Sequence, residues 1–114
     1  MPDELAALGR FAAPSLAILI ALADGPRHGY AIMAQARERT GEPLGPGTLY
    51  ATLSRLEARG LIEALPAEGR GRRPYRLTPG GAAVLRDRLQ SIEAMARAGL
   101  ANLGRSEGPE STTS

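Results

Sequence analysis

Residues 44–60 are predicted to form a short helix with a capping signal at each end. Pro46 is suited to the first helical position, where a missing N–H costs nothing, and Gly45 is an acceptable N-cap. Gly60 is suited to the left-handed residue that closes a helix. The apolar residues between these signals are Leu49, Leu53 and Leu56. Their spacing of four and then three predicts one apolar face that packs on a core.

The opposite face of this helix carries small or hydrogen-bonding side chains, where a solvated face usually carries Glu, Lys and Gln. These residues are Gly47, Thr48, Ala51, Ser54, Arg55 and Ala58. Small residues permit close approach to a DNA groove, and hydrogen-bond donors there can read base edges. A solvated, Ala-rich face is the alternative interpretation. For Arg55, a bidentate contact with guanine and a contact with a phosphate both remain open.

Two further helices are predicted before this one. The first follows Pro14 over residues 15–23 and is apolar on every side, so we expect it to be buried on every side, with help from a second subunit. The second covers residues 29–40, with Ile32 and Ala36 at the core edge. Residues 1–12 form either a short amphipathic helix or an arm.

Two short strands, residues 61–65 and 75–78, enclose a loop that contains the sequence GRGRRP at residues 69–74. All 14 basic residues of the chain are arginines, although a GC-rich genome also produces that bias. The position of the loop arginines is therefore more informative than their number. Arg70, Arg72 and Arg73 follow directly after the capped helix, and we expect them to contact phosphates or an AT-rich minor groove. A solvated loop is the alternative.

The last helix is predicted over residues 79–103, with Thr78 as N-cap and Pro79 at the first position. Its apolar stripe consists of Leu85, Leu89, Ile92, Ala96, Gly99 and Leu103. Steps of three and four are typical of a seam between two helices. We therefore predict a homodimer formed by this stripe together with Leu16, Leu19 and Ile20 of the first helix. Residues 104–114 lack apolar side chains and are predicted to be disordered.

Several classes of protein are disfavoured by what the chain lacks. With no cysteine and a single histidine, it offers no thiolate metal site and few groups for acid–base chemistry, so we expect no metal, no cofactor and no enzymatic activity. His28 is either a structural hydrogen-bond donor or a solvent-exposed residue, and the alternative is that it contacts a ligand or a phosphate. The apolar run at residues 11–23 is too short to cross a membrane, and no secretion signal is visible, so a cytoplasmic location is expected.

The predicted architecture is mostly α with a small β-hairpin. It comprises an N-terminal arm or helix (1–12), a winged helix-turn-helix (13–78), a dimerisation helix (79–103) and a tail (104–114). The sequence also resembles the PadR-type bacterial transcriptional regulators over residues 16–89. The resemblance rests on LADGPRHGY at 22–30, GPGTLY at 45–50 and YRLTPG at 75–80. The short final helix resembles that of the smaller PadR subfamily.

The resemblance implies a homodimeric repressor that binds double-stranded DNA and responds to a small-molecule effector at the dimer interface. Residues 46–59 would be the recognition helix, Tyr50 would contact the DNA backbone, and residues 70–73 would be the wing. The expected DNA contacts are Tyr30, Pro46, Gly47, Thr48, Tyr50, Ala51, Ser54, Arg55, Arg70, Arg72 and Arg73. A winged-helix module that binds protein rather than DNA is the alternative.

Overall fold

The computed structural model describes residues 5–69 and 72–106, which form a mostly helical fold with one small hairpin. The elements are a 3₁₀ helix (Ala6–Phe11), α1 (Ala12–Ala21), α2 (Gly29–Thr40), α3 (Pro46–Ala58), β1 (Ile62–Ala64), β2 (Tyr75–Leu77) and α4 (Pro79–Ser106). This order is the predicted winged helix-turn-helix followed by a long helix. Within the described ranges, no helix has the length and apolar character of a membrane span.

The core lies between α1, α2 and α3. Leu49, Leu53 and Leu56 are buried, which confirms the apolar face predicted for α3. They pack with Ile18, Leu19, Leu22 and Ile32 in one cluster. The 3₁₀ helix, α2, α3 and α4 all contact α1, so one chain buries most of that helix. The burial predicted on every side of α1 is incomplete within one chain, because Ala13 is exposed and Leu16 and Ile20 are half-buried.

Helix α1 begins at Ala12 rather than after Pro14. Pro14 lies in the first turn, where its missing N–H has no intrahelical acceptor to lose. The segment before it, which is described from residue 5 onward, forms a short helix rather than an arm. It is a 3₁₀ helix in which Gly9 adopts a left-handed φ of 59°, while Leu5 and Leu8 are buried in the core. The N-terminal segment is thus an integral part of the domain.

The hairpin pairs β1 with β2 in antiparallel register, with Ile62 opposite Leu77 and Ala64 opposite Tyr75. Arg27 forms an isolated antiparallel β-bridge with Tyr75. Its amide donates to the Tyr75 carbonyl (3.1 Å), and its carbonyl accepts from the Tyr75 amide (2.9 Å). Both strands are shorter than predicted. The connecting loop remains paired as far as the Glu68 amide, which donates to the Arg72 carbonyl at 2.6 Å.

Helix α4 starts with the predicted Thr78 cap, whose Oγ1 accepts a hydrogen bond from the Gly81 amide at 2.9 Å. The same hydroxyl donates to the Gly60 carbonyl, which ties the helix start to the end of α3. Only Gly81 and Leu85 of α4 are buried. The helix continues to Ser106, so residues 104–106 are helical rather than disordered as predicted, and residues 107–114 lie outside the described residues.

Candidate nucleic-acid interface

The outward face of α3 consists of small and polar side chains. Pro46, Gly47, Thr48, Tyr50, Ser54 and Arg55 are exposed, and Ala51 is half-buried. Gly45 provides no side-chain cap, so the first-turn N–H groups of α3 have no side-chain acceptor from the N-cap. Such amides, together with the positive end of the helix dipole, attract phosphate groups. The predicted DNA contacts of α3 therefore share one accessible surface.

Arg55 lies at one edge of this face and has two contacts within the chain. Its Nη1 donates to the Ala51 carbonyl at 3.2 Å. Its guanidinium carbon lies 3.8 Å from the centroid of the Phe11 ring. The sequence gives no signal for this contact, because Phe11 and Arg55 are distant in the chain and belong to different elements. Phe11 is thus a residue of the candidate site that sequence analysis missed.

Tyr50 lies at the other edge of α3, against the start of α2. A Cβ placed on Gly29 would be only 2.6 Å from the Tyr50 hydroxyl oxygen, so the tyrosine occupies space that only a glycine leaves open. Tyr30, the next residue of α2, has 82% of its surface exposed. The two phenol groups that the sequence predicts as DNA contacts therefore stand beside the N-terminal ends of two helices.

The wing closes this side of the site. A cleft of about 670 Å³ separates α2 and α3 from the hairpin, and its polar lining consists of His28, Tyr30, Tyr50, Arg72, Arg73 and Tyr75. Arg72 and Arg73 are exposed, whereas Arg70 lies outside the described residues. The structure thus brings two of the three predicted loop arginines to the same cleft as the two tyrosines.

One side-chain contact and one backbone pairing connect the wing with the residues before α2. His28 Nε2 lies 3.1 Å from a Glu68 carboxylate oxygen. Burial raises the pKa of Tyr75 above the usual 10.0, and the neighbouring Glu57 raises it further, so its phenol stays neutral at physiological pH. Arg27, which sequence analysis did not select, holds the same strand through its backbone. The arrangement is an exposed helix with a cationic hairpin at its side.

Comparison with known proteins identifies this arrangement. The model of the transcriptional regulator PadR-like family matches residues 18–87, which is more than half of the chain. The chain belongs to the PadR-like family of transcriptional regulators. The family resemblance seen in the sequence motifs is thereby confirmed.

Relatives of this PadR-like chain include the transcriptional regulator Rv3488 of Mycobacterium tuberculosis, 47% identical over 88 residues that cover 75% of this chain and 81% of the relative. An uncharacterised 37.1 kDa protein in transposon Tn4556 of Streptomyces fradiae is 49% identical over 75 residues, or 66% of this chain. The match spans only 21% of that transposon protein. Its remaining sequence has no counterpart in the alignment.

Solved structures agree with the family. The crystal structure of a PadR family regulator from Clostridium difficile has a TM-score of 0.68 at 31% identity, over 79% of this chain and 97% of that one. A transcriptional regulator from Clostridium thermocellum gives 0.66 at 28% identity, over 81% and 90%. A PadR-like transcription factor from Bacteroides fragilis, at 24% identity and a TM-score of 0.70, shares the fold over 87% and 98%.

The residues predicted for the dimer interface of this PadR-like regulator do not all have the same environment. Leu19 is completely buried and Leu85 is 5% exposed within one chain, so neither has appreciable surface for a partner, and their assignment to the interface was wrong. Leu16, Ile20 and Ile92 are half-buried, while Leu89, Ala96, Gly99 and Leu103 are exposed. Met95 and Leu100, which the sequence analysis did not select, are also exposed on α4.

Proposed function

We propose that this PadR-like regulator is a sequence-specific repressor that binds double-stranded DNA as a homodimer. The observation that carries the proposal is the accessible α3 face, with Tyr50 and the wing arginines at one edge and Arg55 at the other. An α-helix of this exposure fits the major groove, and the wing then lies where its cations can meet the phosphate backbone. At these positions, the planar guanidinium groups of Arg55, Arg72 and Arg73 can make bidentate contacts with phosphate or guanine.

The division of roles within the site follows from its chemistry. Thr48, Ser54 and Arg55 would face base edges, with Ala51 allowing close approach to the groove. Tyr30, Tyr50, Arg72 and Arg73 would contact the backbone, together with the open first-turn amides after Pro46 and Gly47. Arg70 is proposed as a third cation of the wing from its sequence position alone.

The homodimer rests on the apolar stripe of α4 beyond the globular part of the chain. Leu100 and Leu103 are 69% and 56% exposed, and they continue the line of Ile92, Ala96 and Gly99. Apolar side chains aligned in this way on a free helix are typical of a surface that a second subunit covers. Leu16 and Ile20 of α1 offer partly exposed apolar atoms for the same interface.

We also propose that the regulator acts in the cytoplasm.

We further propose that a small-molecule effector binds at the dimer interface. A groove of about 370 Å³ lies between Ala23, Leu77 and one side of α4, where Leu85, Leu89 and Gln90 line it. Its mixture of apolar and polar groups suits a compact organic ligand. Compounds that occupy it should shift the DNA-binding midpoint, whereas a panel of planar aromatic acids and amines without any such effect would argue against this role.

The experiment that tests DNA binding is a fluorescence titration with duplexes obtained by selection from random DNA, repeated at rising salt. We expect the selected duplex to bind at least about 10³-fold more tightly than a scrambled duplex of equal length. Affinity for both duplexes should fall steeply with salt, because arginine contacts release counterions from the phosphates. A protein that leaves both duplexes unbound at low salt would overturn the proposal and favour the alternative of a module that binds protein.

A further inference from the structure

The contact between Arg55 and Phe11 joins the DNA-facing helix to the N-terminal segment. The Arg55 guanidinium carbon is 3.8 Å from the centre of the Phe11 ring, which is stacking distance for a cation on an aromatic face. A second arginine, Arg10, has its guanidinium carbon 5.0 Å from the same ring. Phe11 therefore has two cations beside it, of which Arg55 is the closer.

Two contacts together restrict the Arg55 side chain. The guanidinium carbon lies over the Phe11 ring, and Nη1 donates to the Ala51 carbonyl at 3.2 Å. An unrestrained arginine on an exposed helix face loses much rotamer entropy when it binds a planar partner. A stacked guanidinium has already lost part of that freedom, and its remaining N–H donors stay accessible because Arg55 as a whole is exposed.

The position of the Phe11 ring is itself fixed by the domain. Phe11 is half-buried against the core cluster, at the junction where the 3₁₀ helix meets α1. Leu5 and Leu8, on the preceding turns, are buried in the same core. The chain is therefore packed on the core on both sides of Phe11, which places the ring beside α3.

We propose that Phe11 is a positioning residue for DNA recognition, which holds the Arg55 guanidinium in the orientation in which it contacts DNA. The inference rests on the proposed function, because it requires α3 to bind DNA. The N-terminal segment lies outside the winged helix-turn-helix. Under this proposal it still contributes to sequence selectivity, through Phe11. Phe11 itself makes no contact with DNA in this scheme and acts through Arg55.

The test compares Phe11→Leu, which removes the ring but keeps an apolar side chain, with Phe11→Tyr, which keeps the ring. Both are titrated against the selected duplex and against every single-base variant of one half-site. We expect Phe11→Leu to change affinity at the same base positions as Arg55→Ala, in the same direction, by about 2- to 5-fold, the range of an exposed cation–π contact. Phe11→Tyr should retain the wild-type profile.

The double variant Phe11→Leu/Arg55→Ala separates positioning from a general structural role. If Phe11 acts through Arg55, its loss should have no further effect once Arg55 is gone, so the double variant should match Arg55→Ala. Effects that multiply instead would overturn the proposal. A Phe11→Leu protein with a wild-type profile would overturn it as well.

A spectroscopic measurement keeps the proposal testable if Phe11→Leu is less stable. In the wild-type protein, the side-chain protons of Arg55 should show an upfield ring-current shift in NMR spectra recorded without DNA. The shift should persist in Phe11→Tyr and vanish in a folded Phe11→Leu sample at low temperature. Absence of the shift in the wild type would refute the stack. Failure of the wild type to prefer any duplex would refute the proposed function instead, so the two failures are distinguishable.

Discussion

Two consecutive glycines at the start of α4 have very different surroundings. A Cβ on Gly81 would lie 1.9 Å from the carbonyl oxygen of Leu61, a backbone atom that cannot move without disturbing the hairpin. A Cβ on Gly80 would meet its nearest neighbours at 3.6 and 3.7 Å, which is ordinary contact. The absence of a side chain at Gly81 therefore sets how closely α4 packs on the end of α3.

This difference predicts opposite effects of the same substitution. Gly81→Ala should lower the free energy of unfolding by about 3 kcal/mol, because the clash with backbone forces the two elements apart. Gly80→Ala should raise it by roughly 0.5–1 kcal/mol, since alanine is favoured over glycine in a helix. Urea unfolding followed by circular dichroism at one protein concentration measures both, and similar values for the two variants would contradict the predicted packing.

Arg55 allows two kinds of DNA contact, which differ in their effect on selectivity. If its fork bridges O6 and N7 of guanine, Arg55→Ala should cost about 1–3 kcal/mol on the selected duplex and relax the preference at one position per half-site. If it binds a phosphate, all sequences should weaken alike. Arg97→Ala, on α4 and outside the DNA-facing surface, is the control for the loss of an exposed arginine. Unchanged affinity in Arg55→Ala would exclude both contacts.

At the scale of elements, Arg72 and Arg73 in the loop of the hairpin have no ion-pair partner within the described residues. Within residues 5–69 and 72–106, arginines 27, 39, 76 and 97 form ion pairs with carboxylates, and neither Arg72 nor Arg73 is paired in this way. Both side chains line the cleft beside Tyr50. They are therefore placed to meet DNA phosphates without first breaking an ion pair.

We expect the double variant Arg72→Ala/Arg73→Ala to reduce the slope of log K against log salt by about 0.9 for each phosphate that the wing no longer neutralises. Affinity for selected and scrambled duplexes should fall by similar factors, because backbone contacts carry no sequence information. The matched control is Arg97→Ala, an arginine of α4 paired with Glu93 and distant from the wing in sequence. If the salt dependence of binding is unchanged in the double variant, Arg72 and Arg73 do not contact the DNA phosphate backbone.

Local signals predicted the helices well, and non-local contacts explain the errors. The caps at Gly45–Pro46 and Thr78–Pro79 fixed the starts of α3 and α4, because a cap depends only on the residues beside it. The pairing of Arg27 with Tyr75 joins segments distant in sequence, so no motif revealed it. The stack of Phe11 on Arg55 escaped prediction for the same reason, and the predicted roles of Arg55 and the wing in DNA binding await experiment.

At the scale of the whole molecule, apolar periodicity identified which faces must be covered but not what covers them. The apolar pattern of α1 and α4 assigned Leu19 and Leu85 to the dimer interface. In the structure, other elements of the same chain bury both side chains. The N-terminal 3₁₀ helix, which the sequence left undecided, contributes to covering α1. The most exposed apolar side chains of α4, Met95, Leu100 and Leu103, lie in its distal part, beyond the core.

These exposed side chains make the dimer testable without disturbing the core. Leu103→Asp puts a charge on the apolar stripe at a position exposed in the single chain, so the fold should survive while association weakens. Ala101→Asp, an equal charge on the opposite side of the same exposed helix, is the control. By light scattering at tens of micromolar, we expect wild type and Ala101→Asp to be dimers and Leu103→Asp a monomer. A monomeric wild type would contradict the dimer outright.

A dimer of this kind also constrains the DNA that it binds. Two copies of α3 related by a twofold axis can enter successive major grooves on one side of the duplex only if their centres are about one helical turn apart, roughly 34–36 Å. Selection from random DNA should therefore return a near-palindrome with half-sites at that spacing. The Leu103→Asp monomer has no twofold axis, so the same selection with that variant should return single half-sites of weaker affinity. A motif without symmetry from the wild-type protein would contradict both the dimer geometry and the assignment of α3 as the recognition helix.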